Sequence, residues 1–169
     1  MLNNKMITPY HSHSYGYIFL VIKDLTDLPT KIEIDGKTLF KKEEFHVSLM
    51  ALKHLVPLIN AGTNNVTEDD LVQDFIDYQS TADLSQFQPT NEFRYVKRDG
   101  RETVIAMVNV PNIEGLFERL RIKYCVDIPT QPTHITLYSL RPDASIGILS
   151  QFELERDSKQ IELPKIKID

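Results

Sequence analysis

The sequence predicts an α+β protein, not a doubly wound parallel sheet. Three observations point there. Two Asp-Gly pairs sit between short apolar runs, as in tight β-hairpins. Two or three segments repeat their apolar residues at helical spacing. Two short strands carry matching histidine tetrapeptides 88 residues apart, close to half of the 169-residue chain. That separation predicts two related lobes, each giving one strand to a shared cleft.

The elements follow in order. Residues 1–14 are polar, with Pro9 and a His-Ser-His-Ser stretch, and read as a poorly ordered arm. Residues 15–23 form a dense apolar and aromatic run, a buried strand. Residues 32–34 and 38–40 flank Asp35-Gly36 as a hairpin, and residues 45–49 are a further strand. Apolar positions 49, 52, 55, 56 and 59 have helical spacing, which Pro57 interrupts and Gly62 closes. Thr67-Glu68-Asp69-Asp70 resembles a capping box and opens a helix to about Tyr78, with Leu71, Val72, Phe75 and Ile76 inward. Residues 79–90 read as a loop. Residues 93–97 and 103–110 flank Arg98-Asp99-Gly100-Arg101 as a second hairpin. Asn112 caps a helix to about Tyr124, residues 132–140 form a strand, and residues 147–154 add one more.

Composition bounds the function. The chain has 41% hydrophobic and 25% charged residues, the make-up of a soluble globular protein, with residues 15–169 as one two-lobed domain. Its formal charge of −5 excludes a broad basic surface for coating long nucleic acid and leaves room for a local basic pocket. The single cysteine, Cys125, rules out internal disulfides and multi-cysteine metal sites and reads as a small buried hydrophobe. The longest apolar run is too short to span a membrane, and no signal-peptide core opens the sequence, so a cytoplasmic protein is expected.

The chemistry lies in His46-Val47-Ser48-Leu49 and His134-Ile135-Thr136-Leu137. Side chains on a strand alternate faces, so each strand presents one imidazole and one hydroxyl on the same face, roughly 6–7 Å apart. From the chain's composition, a given histidine begins such a pattern by chance about 2% of the time. Cleaving a phosphodiester needs a base for the attacking oxygen and an acid for the leaving one. Two imidazoles near neutral pKa supply both without a metal. Ser48 and Thr136 can donate to the nonbridging phosphate oxygens.

The two tetrapeptides resemble the signature of the 2H phosphoesterases, defined by two H-x-[S/T] motifs about this far apart. The resemblance implies a two-lobed fold in which two antiparallel sheets form a central cleft with helices outside. It implies catalytic roles for His46 and His134, phosphate binding by Ser48 and Thr136, and no cofactor or metal. The substrate would be an RNA end, an oligonucleotide or a cyclic nucleotide, cleaved at a 2′,3′-cyclic phosphate or a 2′-linked phosphodiester. The family places a helix before each motif strand. Residues 112–124 fit that before His134, whereas a hairpin precedes His46. Two alternatives stay open: degradation of cyclic oligonucleotide messengers by the same site, and a nucleotide- or RNA-end-binding module without turnover.

Softer candidates surround these. Tyr138 shares a strand face with His134 and Thr136 by alternation and could stack a base. Tyr15 and Tyr17 fall where the family often places pocket residues. Arg94, Lys97, Arg98 and Arg101 flank the second hairpin, either as a basic rim for RNA or as a solvated hairpin. His11 and His13 suggest a metal site less than a solvated tail, and His54 reads as a surface or boundary residue. No nucleophile elbow, phosphate-binding loop or H-E-x-x-H motif is present.

Overall fold

Ten strands and four helices make up the mixed α+β architecture among the described residues, 5–23, 25, 27–142 and 145–163 of a computed structural model. In chain order they are β1 (Lys5–Met6), β2 (His11–Ser14), β3 (Tyr17–Ile22), β4 (Lys31–Ile34), β5 (Lys37–Lys41), β6 (Phe45–Met50), α1 (Leu52–Ile59) and α2 (Glu68–Gln79). Then come β7 (Gln88–Arg98), β8 (Arg101–Asn109), α3 (Ile113–Tyr124), β9 (His134–Ser139), α4 (Gln151–Asp157) and β10 (Ser158–Ile161). The β2–β3, β4–β5 and β7–β8 hairpins close through Tyr15-Gly16, Asp35-Gly36 and Asp99-Gly100. Both residues of each turn have positive φ, between 50° and 76°, the geometry that matches strand twist. No described helix is long and apolar enough to cross a membrane.

The chain divides into two compact units, each built from three separate segments. The first takes residues 1–21, 48–87 and 110–131. Its strands run β1–β2–β3, with α1, α2 and α3 contributing the buried Leu52, Leu55, Leu71, Phe75, Phe117 and Leu120. The Thr67 capping box forms as read: its Oγ1 accepts from Asp70 N–H at 3.2 Å, and Asp70 Oδ2 accepts from Thr67 N–H at 2.8 Å. Helix α1 starts at Leu52, because Leu49 and Met50 belong to β6. Pro57 sits in its last turn, where it removes one N–H and the helix stops two residues later. Asp74 is buried on α2 and is held by Lys123 and by the Tyr124 hydroxyl, which donates at 2.5 Å.

Three expectations are corrected in this unit. Residues 1–4 lie outside the described residues, but the rest of the presumed arm contains β1 and β2, with His11 fully buried. The polar sequence is tolerated because both His11 ring nitrogens are engaged, with Thr8 Oγ1 at 2.6 Å and the Leu84 carbonyl at 3.0 Å, while the ring meets Phe75 edge-on. Cys125 is exposed: it takes a left-handed conformation (φ 52°) as the residue that ends α3, so its side chain leaves the apolar face. Asn112 is also left-handed and caps α3 without a side-chain bond. Its Nδ2 donates instead to the Asp83 carbonyl at 2.9 Å.

The second unit takes residues 22–47, 88–109 and 132–169. Strand β9 lies between β6 and β8, β7 follows β8, and β10 follows β7, with every recorded pairing antiparallel. Strand β5 also pairs with β9, Lys41 against Tyr138, and the Lys42 N–H donates to the Leu137 carbonyl at 2.9 Å. The β4–β5 hairpin precedes β6 as read, and among the described residues no helix does. Among the described residues the hydrogen-bonded strands follow one path instead of the two separate sheets expected.

The strand expected over residues 147–154 is a helix in its second half. Ser150 Oγ accepts from Glu153 N–H at 3.2 Å and starts α4, and the chain then returns as β10 along β7. Leu154 packs with Val96, Ile105, Ile146 and Ile148. Strand β7 also begins earlier than read, at Gln88, with a register shift between Pro89 and Phe93.

Candidate functional site

Val47 and Ile135 are both fully buried and face each other across the β6–β9 ladder. This register sets His46 opposite Thr136, on the face away from the buried pair. His134 stands two residues before Thr136 on β9, so the two imidazoles are diagonal neighbours, their backbone positions about 7–8 Å apart. His46 and Thr136 are half-buried, whereas His134 is only 5% exposed. Ser48 is half-buried on the same face of β6 as His46, two residues on. The sequence predicted one motif per lobe. Instead His46, His134 and Thr136 all belong to the second unit, and the unit boundary falls inside the first motif, between Val47 and Ser48.

Burial dominates the electrostatics. It pushes the His46 pKa down from 6.5 to about 4, and the neighbouring His134 and the charge of Lys42 push in the same direction. His134 is also lowered to about 4 by burial, against a smaller opposite pull from the Pro132 carbonyl. That carbonyl does not reach hydrogen-bond geometry, so His134 Nδ1 is a buried ring nitrogen without a hydrogen-bond partner. At neutral pH both rings are uncharged. Because each repels charge on the other, the pair takes its first proton more readily than its second.

Lys42 carries no signal in the sequence, because Lys41-Lys42-Glu43-Glu44 is charge-balanced. Its place between two strands that both pair with β9 brings its charge to bear on His46, and its Nζ donates to the Pro142 carbonyl at 2.5 Å.

The softer candidates separate. Tyr138 is fully buried and its hydroxyl donates to the Pro29 carbonyl at 2.9 Å, so it is a packed core residue with its pKa raised to about 12 by burial. Strict alternation fails there because Ile105 pairs with Thr136 and Val104 with Tyr138, leaving Leu137 as a bulge. Tyr15 is 70% exposed on the β2–β3 turn, away from any strand face. Tyr17 is half-buried on β3, stacked with Phe19 at 5.6 Å.

Arg94, Lys97, Arg98 and Arg101 form neither a basic rim nor a simply solvated hairpin. Arg94 pairs with Glu92, Lys97 with Asp35, and Arg101 donates to the Ser145 carbonyl. Arg98 binds Asp157, Glu153 and the Gly147 carbonyl, which fastens α4 to β7. His13 meets Glu68 at 3.4 Å, His54 is exposed on α1, and no group of three metal-ligating side chains occurs among the described residues. Comparison with family models, curated proteins and solved structures gives no match to this chain.

Proposed function

We propose that this protein is a metal-independent phosphodiesterase of the 2H phosphoesterase kind, acting on a 2′,3′-cyclic phosphate or a 2′-linked phosphodiester of an RNA end, oligonucleotide or nucleotide. The observation that carries the reading is the β6–β9 register. Two imidazoles and a hydroxyl share one face of an antiparallel pair, against a fully buried Val47–Ile135 contact that fixes them. A site held on paired strands is rigid, as positioned acid–base groups require.

One neutral imidazole takes the proton from attacking water as the new P–O bond forms. The other, protonated, gives its proton to the leaving 2′- or 3′-oxygen as the old bond breaks, and a phosphate monoester results. Mutual repulsion favours this division, because it opposes a second proton on the pair. An anionic phosphodiester favours the imidazolium and raises both pKa values towards neutrality once bound. Ser48 and Thr136 hydroxyls donate to the nonbridging oxygens, at about 1.5–3 kcal/mol for each hydrogen bond to a charged group.

The test is turnover, in EDTA, of the four nucleoside 2′,3′-cyclic monophosphates, 2′,5′- and 3′,5′-linked oligoadenylates, and cyclic di- and trinucleotides. Wild type should hydrolyse at least one class, and His46→Ala or His134→Ala should each lower kcat by at least about 100-fold. Full activity in either variant would remove the two-histidine mechanism. Binding without turnover across the panel would favour the non-catalytic module.

A further inference from the structure

We propose that Met107 seats a nucleobase beside His134 and that Asn91, in a bulge of β7, reads the edge of that base, with adenine preferred. Met107 on β8 stands directly opposite His134 on β9, and Ile105 stands opposite Thr136 in the same register. Residues directly opposite in an antiparallel pair share a face, so Met107 and Ile105 lie on the face of the two motif residues. Ile105 is fully buried in a cluster with Val96, Ile146, Ile148 and Leu154, whereas Met107, packed against that cluster, is only half-buried. The apolar cover therefore thins at Met107. A solvent-reaching thioether is left one strand spacing, about 4.8 Å, from His134.

Beyond Met107 the ladder is interrupted. Pro89 pairs with Val108 and Phe93 with Ala106, so Thr90, Asn91 and Glu92 all stand against Met107 alone. Thr90 holds this bulge to its neighbour: its Oγ1 donates to the Met107 carbonyl at 2.7 Å and accepts from Glu92 N–H at 3.2 Å. Glu92 is itself paired with Arg94. Asn91 is exposed between them with a left-handed φ of 56°, which asparagine adopts more readily than most residues. Bulges recur beside active sites, where they re-aim a side chain.

A thioether is soft and polarizable and packs well on an aromatic ring. A base joined through one ribose to a phosphate at His134 falls over the neighbouring strand, where Met107 is. A purine extends from there towards the bulge on the next strand, and the single ring of a pyrimidine falls short. The Asn91 amide offers one acceptor and two donors, which match the N6 amino group and N7 of adenine. Guanine presents two acceptors on that edge and leaves the amide oxygen unpaired. The inference rests on the proposed phosphodiesterase for placing the phosphate at His134, and it adds the base preference of that site.

The test is calorimetric titration of the full chain with adenosine, guanosine and cytidine 3′-monophosphates and with inorganic phosphate. The adenine nucleotide should bind at least about fivefold more tightly than the other two. Met107→Ala should weaken it at least about fivefold and leave inorganic phosphate within about twofold, while Met107→Leu, which keeps an apolar seat, should change it less than about twofold. Asn91→Gly keeps the left-handed backbone without touching any packing, and it should bring adenine and guanine nucleotides within about twofold of each other. Equal affinity for the three nucleotides, no nucleotide binding, an unchanged Met107→Ala, or an adenine preference that survives Asn91→Gly would each overturn the proposal. Binding in this pattern by a wild type that hydrolyses nothing would keep the base site and remove only the phosphodiesterase reading. Hydrolysis without base preference would do the reverse.

Discussion

A histidine whose pKa falls from 6.5 to about 4 on folding binds its proton more tightly in the unfolded chain, and this protein has two such residues, His46 and His134. Between pH 6.5 and 4 the unfolded state therefore holds more protons than the folded state, and stability falls as pH falls. Below about 4 both states are protonated and these two groups cost nothing further. His11 is lowered too, by burial that outweighs the Leu84 carbonyl and Asp83, and contributes in the same direction. Melting temperature should drop between pH 7 and 4.5, and His134→Gln should make that drop smaller. An equal drop in the variant would mean that His134 is not buried as a neutral ring. The two motif histidines were legible in the sequence because alternation on a strand is local. Tyr138 was misread for a non-local reason: the bulge at Leu137 arises from pairing with β8, 33 positions away at Val104 and 32 at Ile105.

Among elements, the legible ones carried their own signal. Asp35-Gly36 and Asp99-Gly100 close hairpins because both positions need positive φ, and Thr67 with Asp70 closes a capping box within four residues. Strand β2 was missed because His-Ser-His-Ser has no apolar alternation. It is held by Thr8 and Leu84, of which the second lies 73 residues away. Helix α4 was missed although Ser150-Gln151-Phe152-Glu153 has a helix-start spacing, since its apolar face is little more than Leu154. Its stability comes from the cap and from Arg98. Ser150→Ala should lower unfolding free energy by about 1 kcal/mol in urea titration. Arg98→Met should lower it by about 2 kcal/mol, between the values for exposed and buried ion pairs, because it removes the bonds to Glu153, Asp157 and the Gly147 carbonyl while Arg156 keeps Asp157 paired. If Ser150→Ala costs more than Arg98→Met, the arginine does not anchor this helix.

At the scale of the molecule, the α+β class was legible from the mixture of hairpins and helices, whereas the division into units was not. The sequence suggested two halves with one motif each. The units are in fact woven from alternating segments, with boundaries after residues 21, 47, 87, 109 and 131. No contiguous half of the chain holds either unit, so contacts are made across long sequence separations and folding should be slow for this length. A fragment ending at Asn109 keeps β6 and β8 but loses β9, the strand that lies between them. It should show no cooperative thermal transition and should bind hydrophobic dyes, whereas a sharp transition would show that the second unit forms without β9.

The position of β9 also sets a timetable for biosynthesis. During translation, β6 and β8 leave the ribosome well before residues 134–139, with Val47, Leu49, Val104 and Ile105 already made and their common neighbour still to come. For that interval the nascent chain exposes open strand edges with apolar side chains, the condition under which chains pair with each other instead of themselves. The strand that delivers the second histidine is thus also the one that ends the chain's most aggregation-prone stage.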